Sequence, residues 1–245
     1  MRAMILAAGR GERMRPLTDT QPKPLLPIAG KPLIVWHIEK LVACGITDII
    51  INHAWLGHLI ERQLGDGSQW GAQLRYSAEG NGALETAGGI AQALPLLGDA
   101  PFLVMNGDIW CNYDLSHLSK QFTLLNDSAA LAWLLLVPNP AHHPQGDFCL
   151  HAHHVTLPSH STCDPTTSYT FSGIGLYKPA LFDGIQGGER AALGPLLRQQ
   201  ALAQRLIGDL HEGTWVDVGT PERLHYVETL AAHWPTPDTH VTLNG

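Results

Sequence analysis

Met4-Ile5-Leu6-Ala7-Ala8-Gly9-Arg10-Gly11-Glu12-Arg13-Met14-Arg15-Pro16-Leu17-Thr18 is followed shortly by Pro22-Lys23-Pro24-Leu25-Leu26-Pro27-Ile28-Ala29-Gly30-Lys31-Pro32-Leu33. Met4 to Ala8 is apolar without alternation, the pattern of a short strand buried on both faces. Ala7, Ala8, Gly9 and Gly11 carry little or no side chain, so a ligand can approach the main chain and the turn can adopt φ > 0. Successive N–H groups in such a turn form an anion nest. Arg13 and Arg15 supply guanidinium groups, which stay charged and grip phosphate oxygens bidentately. Lys23 lies between two prolines that restrict its backbone, and the second of them predicts an extended Lys23. This is a loop suited to a polyphosphate. It is not a dinucleotide fingerprint, because Met14 stands where the third glycine belongs, nor a Walker A loop, because no Gly-Lys-Ser/Thr follows.

Outward from this loop, strand and helix patterns alternate. Apolar spacing predicts helices over 33–43, 56–64, 86–94, 115–125, 193–204 and 221–233, with Pro95 ending the third. Strands are predicted at 48–51, 73–76, 102–105, 130–137, 170–177 and 206–210. The order βαβα implies an α/β fold with a doubly wound, mostly parallel, Rossmann-like sheet. Residues 138–169 break the pattern with prolines, six histidines and two cysteines. They read as loops around a strand near 148–150, a small antiparallel extension. One domain over 1–234 and a loose polar tail over 235–245 are expected.

Composition narrows the partners. The 245 residues carry a formal net charge of −7, which argues against a general nucleic-acid binder. Yet residues 1–31 hold six Lys/Arg against two Asp/Glu. A cationic patch on an acidic protein suits a small anion in a cleft. No stretch is long and apolar enough to span a bilayer. Arg10, Glu12 and Arg13 interrupt any apolar run near the start, and the four cysteines show no metal or redox spacing. A reduced cytoplasmic protein is the expectation.

Two carboxylates stand out. Asp108 follows an apolar strand in Val104-Met105-Asn106-Gly107-Asp108, and Asp217 lies in Trp215-Val216-Asp217-Val218-Gly219-Thr220. Each alone would read as a turn or cap residue. Together they suit a Mg²⁺ held by one or two carboxylates and substrate phosphates.

These segments, from about Ala3 to Tyr226, resemble the sugar-1-phosphate nucleotidyltransferases. Such enzymes join a nucleoside triphosphate to a sugar 1-phosphate and release pyrophosphate. The resemblance implies that Leu6, Ala8, Gly9, Gly11 and Glu12 hold the triphosphate, that Arg13 and Lys23 are the catalytic cations, and that Asn106 faces the nucleotide. It assigns Mg²⁺ to Asp108 and Asp217, base and ribose contacts to Glu79, Gly82, Thr86 and Gly88, and the sugar to Asp147, Ser172 and Gly173. Two features depart from the family: no Glu-Lys-Pro sugar-phosphate motif is present, and Cys149 stands where relatives usually have glycine. Ile51-Asn52-His53-Ala54-Trp55-Leu56-Gly57, Leu84-Glu85-Thr86 and Thr170-Phe171-Ser172-Gly173 resemble the branch that joins UTP to N-acetylmuramic acid α-1-phosphate in cell-wall recycling. Short guanylyltransferases for mannose 1-phosphate and cytidylyltransferases for phosphocholine are the alternatives. A non-catalytic sugar-nucleotide sensor is the rival class. The implied partners are small molecules, with no nucleic acid or membrane, and a homo-oligomer stays open. The loop histidines read as solvated.

Overall fold

The computed structural model describes residues 1–80, 82–158 and 167–232. The expected loose tail, His160 and Cys163 lie outside the described residues. The strands are β1 (Ala3–Leu6), β2 (Pro27–Ile28), β3 (Lys31–Pro32), β4 (Asp48–His53), β5 (Gln73–Ala78), β6 (Phe102–Asn106) and β7 (Ile109–Cys111). After them come β8 (Ala132–Val137), β9 (Phe148–His151), β10 (His154–Thr156), β11 (Ser168–Tyr177), β12 (Leu206–Leu210) and β13 (Trp215–Asp217). The helices are α1 (Leu33–Ala43), α2 (Gly57–Leu64), α3 (Glu85–Leu97), α4 (Leu118–Asn126), α5 (Leu193–Leu202) and α6 (Pro221–Ala231).

Nine strands form one sheet in the order β5-β4-β1-β6-β11-β8-β12-β10-β9. β5, β4, β1 and β6 run parallel, β11 enters antiparallel beside β6, and β8 pairs parallel with β12. The β9–β10 hairpin closes one edge, and β9 also pairs with β11. Successive residues feed opposite layers, as a doubly covered sheet requires. Ala3, Ile5, Ile49 and Ile51 join the core that includes Ile34, Ile38 and Ile60 of α1 and α2, while Met4 and Ile50 join the core that includes Ile90 and Leu197 of α3 and α5. A third, smaller cluster joins Trp110, Val216 and Val218 to Val227 and Ala231 of α6.

Four local expectations change. Pro95 lies inside α3, which runs on to Leu97 and ends at Gly98 with φ 82. In the last turn the missing proline N–H costs one bond, and burying Leu97 offsets it. Lys23 is in a 3₁₀ turn rather than extended, because Leu25 N–H and Leu26 N–H reach back to the carbonyls of Pro22 and Lys23. The 115–125 segment opens with a 3₁₀ turn at Leu115–His117, capped by Asp114 accepting from Ser116 N–H at 2.9 Å. Cys44 and Cys111 are free, but Cys149 is disulfide-bonded. No helix of the described residues is long and apolar enough to cross a membrane.

His37 on α1 is fully buried against the backbone of Gly107 and Ile109, and burial with nearby Lys40 pushes its pKa down to about 4. The folded chain therefore resists protonating a group that the unfolded chain protonates near 6.5. Stability is full above pH 6.5 and falls as the pH drops toward 4, by up to about 3 kcal/mol from this residue. Urea unfolding of the wild type and His37→Gln at pH 7.5 and 4.5 checks it: the variant is expected to lose less stability across that range.

Candidate active site

The loop after β1 is braced from beneath. Ala7 N–H donates to Asn52 Oδ1 at 2.9 Å, and Asn52 Nδ2 donates to Glu79 Oε1 at 2.6 Å. Glu79 Oε2 accepts from Leu84 N–H at 2.7 Å. Asn52 and Glu79 are both buried, so these bonds hold better than they would in water. A methyl on Gly89 would lie 2.3 Å from Glu79 Oε1, so the helix must offer glycine there. The relay ties the ends of β1, β4 and β5 to the start of α3. It also gives each Glu79 oxygen one partner, while the carboxylate still lines the cleft.

The outer side of the loop is pinned by a stack. The Arg10 guanidinium lies 3.7 Å over the Trp55 ring, and both Arg10 Nη1 and Trp55 Nε1 donate to Thr18 O, at 2.9 and 3.1 Å. Thr18 Oγ1 in turn donates to Gly11 O at 2.8 Å, and Gly11 sits at φ 68. Glu12 faces Arg10 and Arg15 at 3.6 Å and is largely exposed. Leu6, Ala8, Gly9, Lys23, Glu79, Thr86, Asn106 and Asp108 line one cavity of about 220 Å³. Gly82 lines a neighbouring cavity with Arg10 and Trp55. Gly88 is not at the cleft. A methyl on it would lie 2.2 Å from Glu189 O, and its N–H donates to Ala191 O at 3.0 Å, so it is glycine for packing against the 189–191 segment.

The two aspartates meet because β13 pairs antiparallel with β7. Asp217 stands opposite Ile109, and Val218 N–H donates to Asp108 O at 2.8 Å. Arg13, Asn106, Asp108, Ser172 and Asp217 line a shared cavity of about 380 Å³. Each carboxylate carries a cation. Lys23 Nζ is 2.6 Å from Asp108 Oδ2, and Arg223 Nη1 is 2.9 Å from Asp217 Oδ2. A Cβ on Gly219 would lie 2.6 Å from Arg223 Nη2, 2.8 Å from Arg13 Nη2 and 2.9 Å from Asp217 Oδ1. Two guanidinium groups thus converge where one carboxylate is available to balance them.

The donor set fits a hard cation that keeps open positions. Among the described residues no cluster of three or more His, Cys, Asp or Glu side chains forms a closed cage. Two carboxylates, one just before β7 and one at the end of β13, suit Mg²⁺, which takes one or two carboxylates together with phosphate oxygens and water.

On the acceptor side, Asp147 Oδ2 accepts from Phe171 N–H at 2.9 Å, and its Oδ1 faces His143 Nε2 at 3.2 Å. The β11–β8 register shifts between Phe171 and Gly175. Within that irregularity Ser172 Oγ accepts from Ile174 N–H, and Gly173 has φ 83. A methyl on Gly173 would lie 2.5 Å from Asn106 Nδ2, so the bulge makes room for Asn106. His142, read from sequence as a solvated loop residue, instead sits 2.8 Å from Arg223 Nη1 and 3.6 Å from Asp217 Oδ2. The segment after β8 folds back over β13. The sequence assigned no site role to Asn52, Arg10, His142, Gly219 or Arg223, because their roles come from the partners that the fold brings to them.

The nucleotidyl transferase family profile matches residues 2–146. A relative from Neisseria meningitidis serogroup B, N-acetylmuramate alpha-1-phosphate uridylyltransferase, is 53% identical over 96% of this chain and 100% of its own. A protein of the same description from Caulobacter vibrioides is 34% identical over 90% of this chain and 92% of its own. A solved structure from Bacillus anthracis, assigned as a glucose-1-phosphate thymidylyltransferase, superposes with a TM-score of 0.82 at 24% identity over 97% of both chains. That likeness speaks to the fold.

The Gly219 geometry is testable without turnover. In Gly219→Ala the methyl meets only the ends of flexible side chains, so the thermal midpoint is expected to move by less than about 4 °C. Displaced guanidinium groups should weaken calorimetric binding of inorganic pyrophosphate at least about tenfold.

Proposed function

The chain belongs to the nucleotidyl transferase family, and from that premise we propose that it transfers the uridylyl group of UTP to N-acetylmuramic acid α-1-phosphate and releases pyrophosphate. The observation that carries the reaction type is the gathering of Arg13, Asp108 and Asp217 on one cavity, with Lys23 bonded to Asp108. The choice of base and sugar is supported by the similarity to the Neisseria protein over the whole of its length.

The chemistry asks little of a proton carrier. An ionised oxygen of the sugar 1-phosphate attacks the α-phosphorus. A new P–O bond forms, the α–β bridging P–O bond breaks, and its electron pair leaves with pyrophosphate. No general base is needed, so positioning and charge neutralisation carry the rate. The loop of residues 8–11, braced by the Ala7 N–H bond to Asn52, offers backbone N–H groups to the triphosphate. Arg13 faces the leaving pyrophosphate. Lys23, whose side chain is only 10% exposed, is a fixed charge beside the reacting phosphate. Mg²⁺ bound by Asp108 and Asp217 would neutralise phosphate oxygens and align the two reacting groups. The product, a UDP-linked muramic sugar, serves cell-wall recycling. A non-catalytic sensor would have no use for four intact transfer residues.

Pyrophosphate release from each of UTP, CTP, GTP and dTTP with N-acetylmuramic acid 1-phosphate, N-acetylglucosamine 1-phosphate, mannose 1-phosphate and phosphocholine tests the reading. UTP with the muramic acceptor is expected to give the highest kcat/KM, and a better rate for GTP with mannose 1-phosphate or CTP with phosphocholine would overturn it. Asp108→Asn and Asp217→Asn should each lower kcat by at least about 100-fold with the unfolding transition kept, and chelation of Mg²⁺ should abolish turnover reversibly.

A further inference from the structure

Beside the cavity that holds the two aspartates lies a second one of about 390 Å³, and the two share Asn106 and Phe171. Its wall carries Thr86, Asp147 and Phe148, and α5 contributes Leu197 and Arg198. The charged groups on this wall are not equivalent. Glu85 is committed to Arg190 at 2.9 Å. Asp147 is committed to Phe171 N–H and faces His143. Arg198 has no ion pair or hydrogen bond among the described residues. Its guanidinium folds back over the first turn of its own helix, 3.4 Å from the place a Cβ on Gly194 would occupy. That turn contains no acidic side chain to neutralise it. An exposed arginine on a helix is ordinarily just solvated. This one is the uncommitted cation on the wall of a cavity that opens onto the reacting groups.

The proposed acceptor supplies a matching charge. N-acetylmuramic acid is N-acetylglucosamine with a lactyl ether on O3, so it differs by one carboxylate, ionised at neutral pH. Without a cation on the wall, that carboxylate would meet Glu85 and Asp147, and like charges in a cleft repel. A guanidinium grips a carboxylate bidentately, with orientation as well as charge. Resting on the function proposed above, we propose that Arg198 is the specificity-determining residue that receives the lactyl carboxylate and so selects the muramic acceptor over a plain N-acetylhexosamine 1-phosphate.

Steady-state kinetics of the full chain with saturating UTP decide the matter. Arg198→Gln is expected to raise KM for N-acetylmuramic acid 1-phosphate at least about tenfold, with kcat changed less than about threefold and KM for UTP unchanged. The preference for that acceptor over N-acetylglucosamine 1-phosphate, as a ratio of kcat/KM values, should fall by a similar factor. Arg198→Lys should recover part of it, because charge survives and the fork does not. An unchanged preference in Arg198→Gln, with the wild type active on the muramic acceptor, would overturn the Arg198 assignment alone. No wild-type turnover of that acceptor would overturn the substrate reading and this assignment with it.

Discussion

The meeting of the two aspartates depends on one short ladder, the pairing of β7 with β13. Ile109–Cys111 and Trp215–Asp217 are three residues each, too short to persist as isolated strands. They hold because Trp110, Val216 and Val218 pack under α6, where Val227 and Ala231 bury with them. That apolar patch brings a carboxylate from the far end of the chain beside the strand end that carries Asp108. The bond from Val218 N–H to Asp108 O sets the separation of the two backbones. α6 is positioned from the same junction: Thr220 caps it by accepting from Arg223 N–H, and Arg223 then turns its guanidinium back to Asp217. Fold and site thus share a single constraint.

The second principle is charge pairing within the cleft. Two bare carboxylates close together would repel each other. Here Lys23 and Arg223 each neutralise one of them before any ligand arrives. Lys23 and Arg223 keep little exposure while the aspartates keep more, so each pair is worth less than a fully buried one. The cleft thus carries balanced charge on a chain whose overall charge is −7.

Much of this was legible in the sequence for a definite reason. The loop at 7–11 and the strand ends at Asn106 and Asp108 are local patterns, and a doubly wound sheet presents ligands at strand C-termini whatever the sequence elsewhere. What was not legible depends on distant partners. β7 and β13 have no periodicity of their own. Gly88 has the composition of a ligand-approach glycine, yet its missing side chain serves the 189–191 segment. The bonds from Asn52 and Leu84 N–H to the two oxygens of Glu79 come from other elements and leave no local signal. Pro95 ends a helix by propensity, but Leu97 has a core to enter. His142 belongs to a loop by composition and to the aspartate cluster by topology.

Glycine explains how so many charged ends meet without collision. Gly107 leaves 2.6 Å between an imagined Cβ and Leu6 O, Gly173 leaves 2.5 Å to Asn106, and Gly219 sits among three charged termini. At each position a side chain would occupy the space that a functional atom needs. The first two are set against the backbone or a partly buried amide, so a substitution there must move the frame itself. Gly219 is set against flexible arginine and aspartate ends, so a substitution there moves only the chemistry. The cleft is consequently tightly framed around Asn106, where the cavities share a wall, and bordered by flexible side-chain ends around Asp217. Preorganised donors are what a reaction run on electrostatics requires.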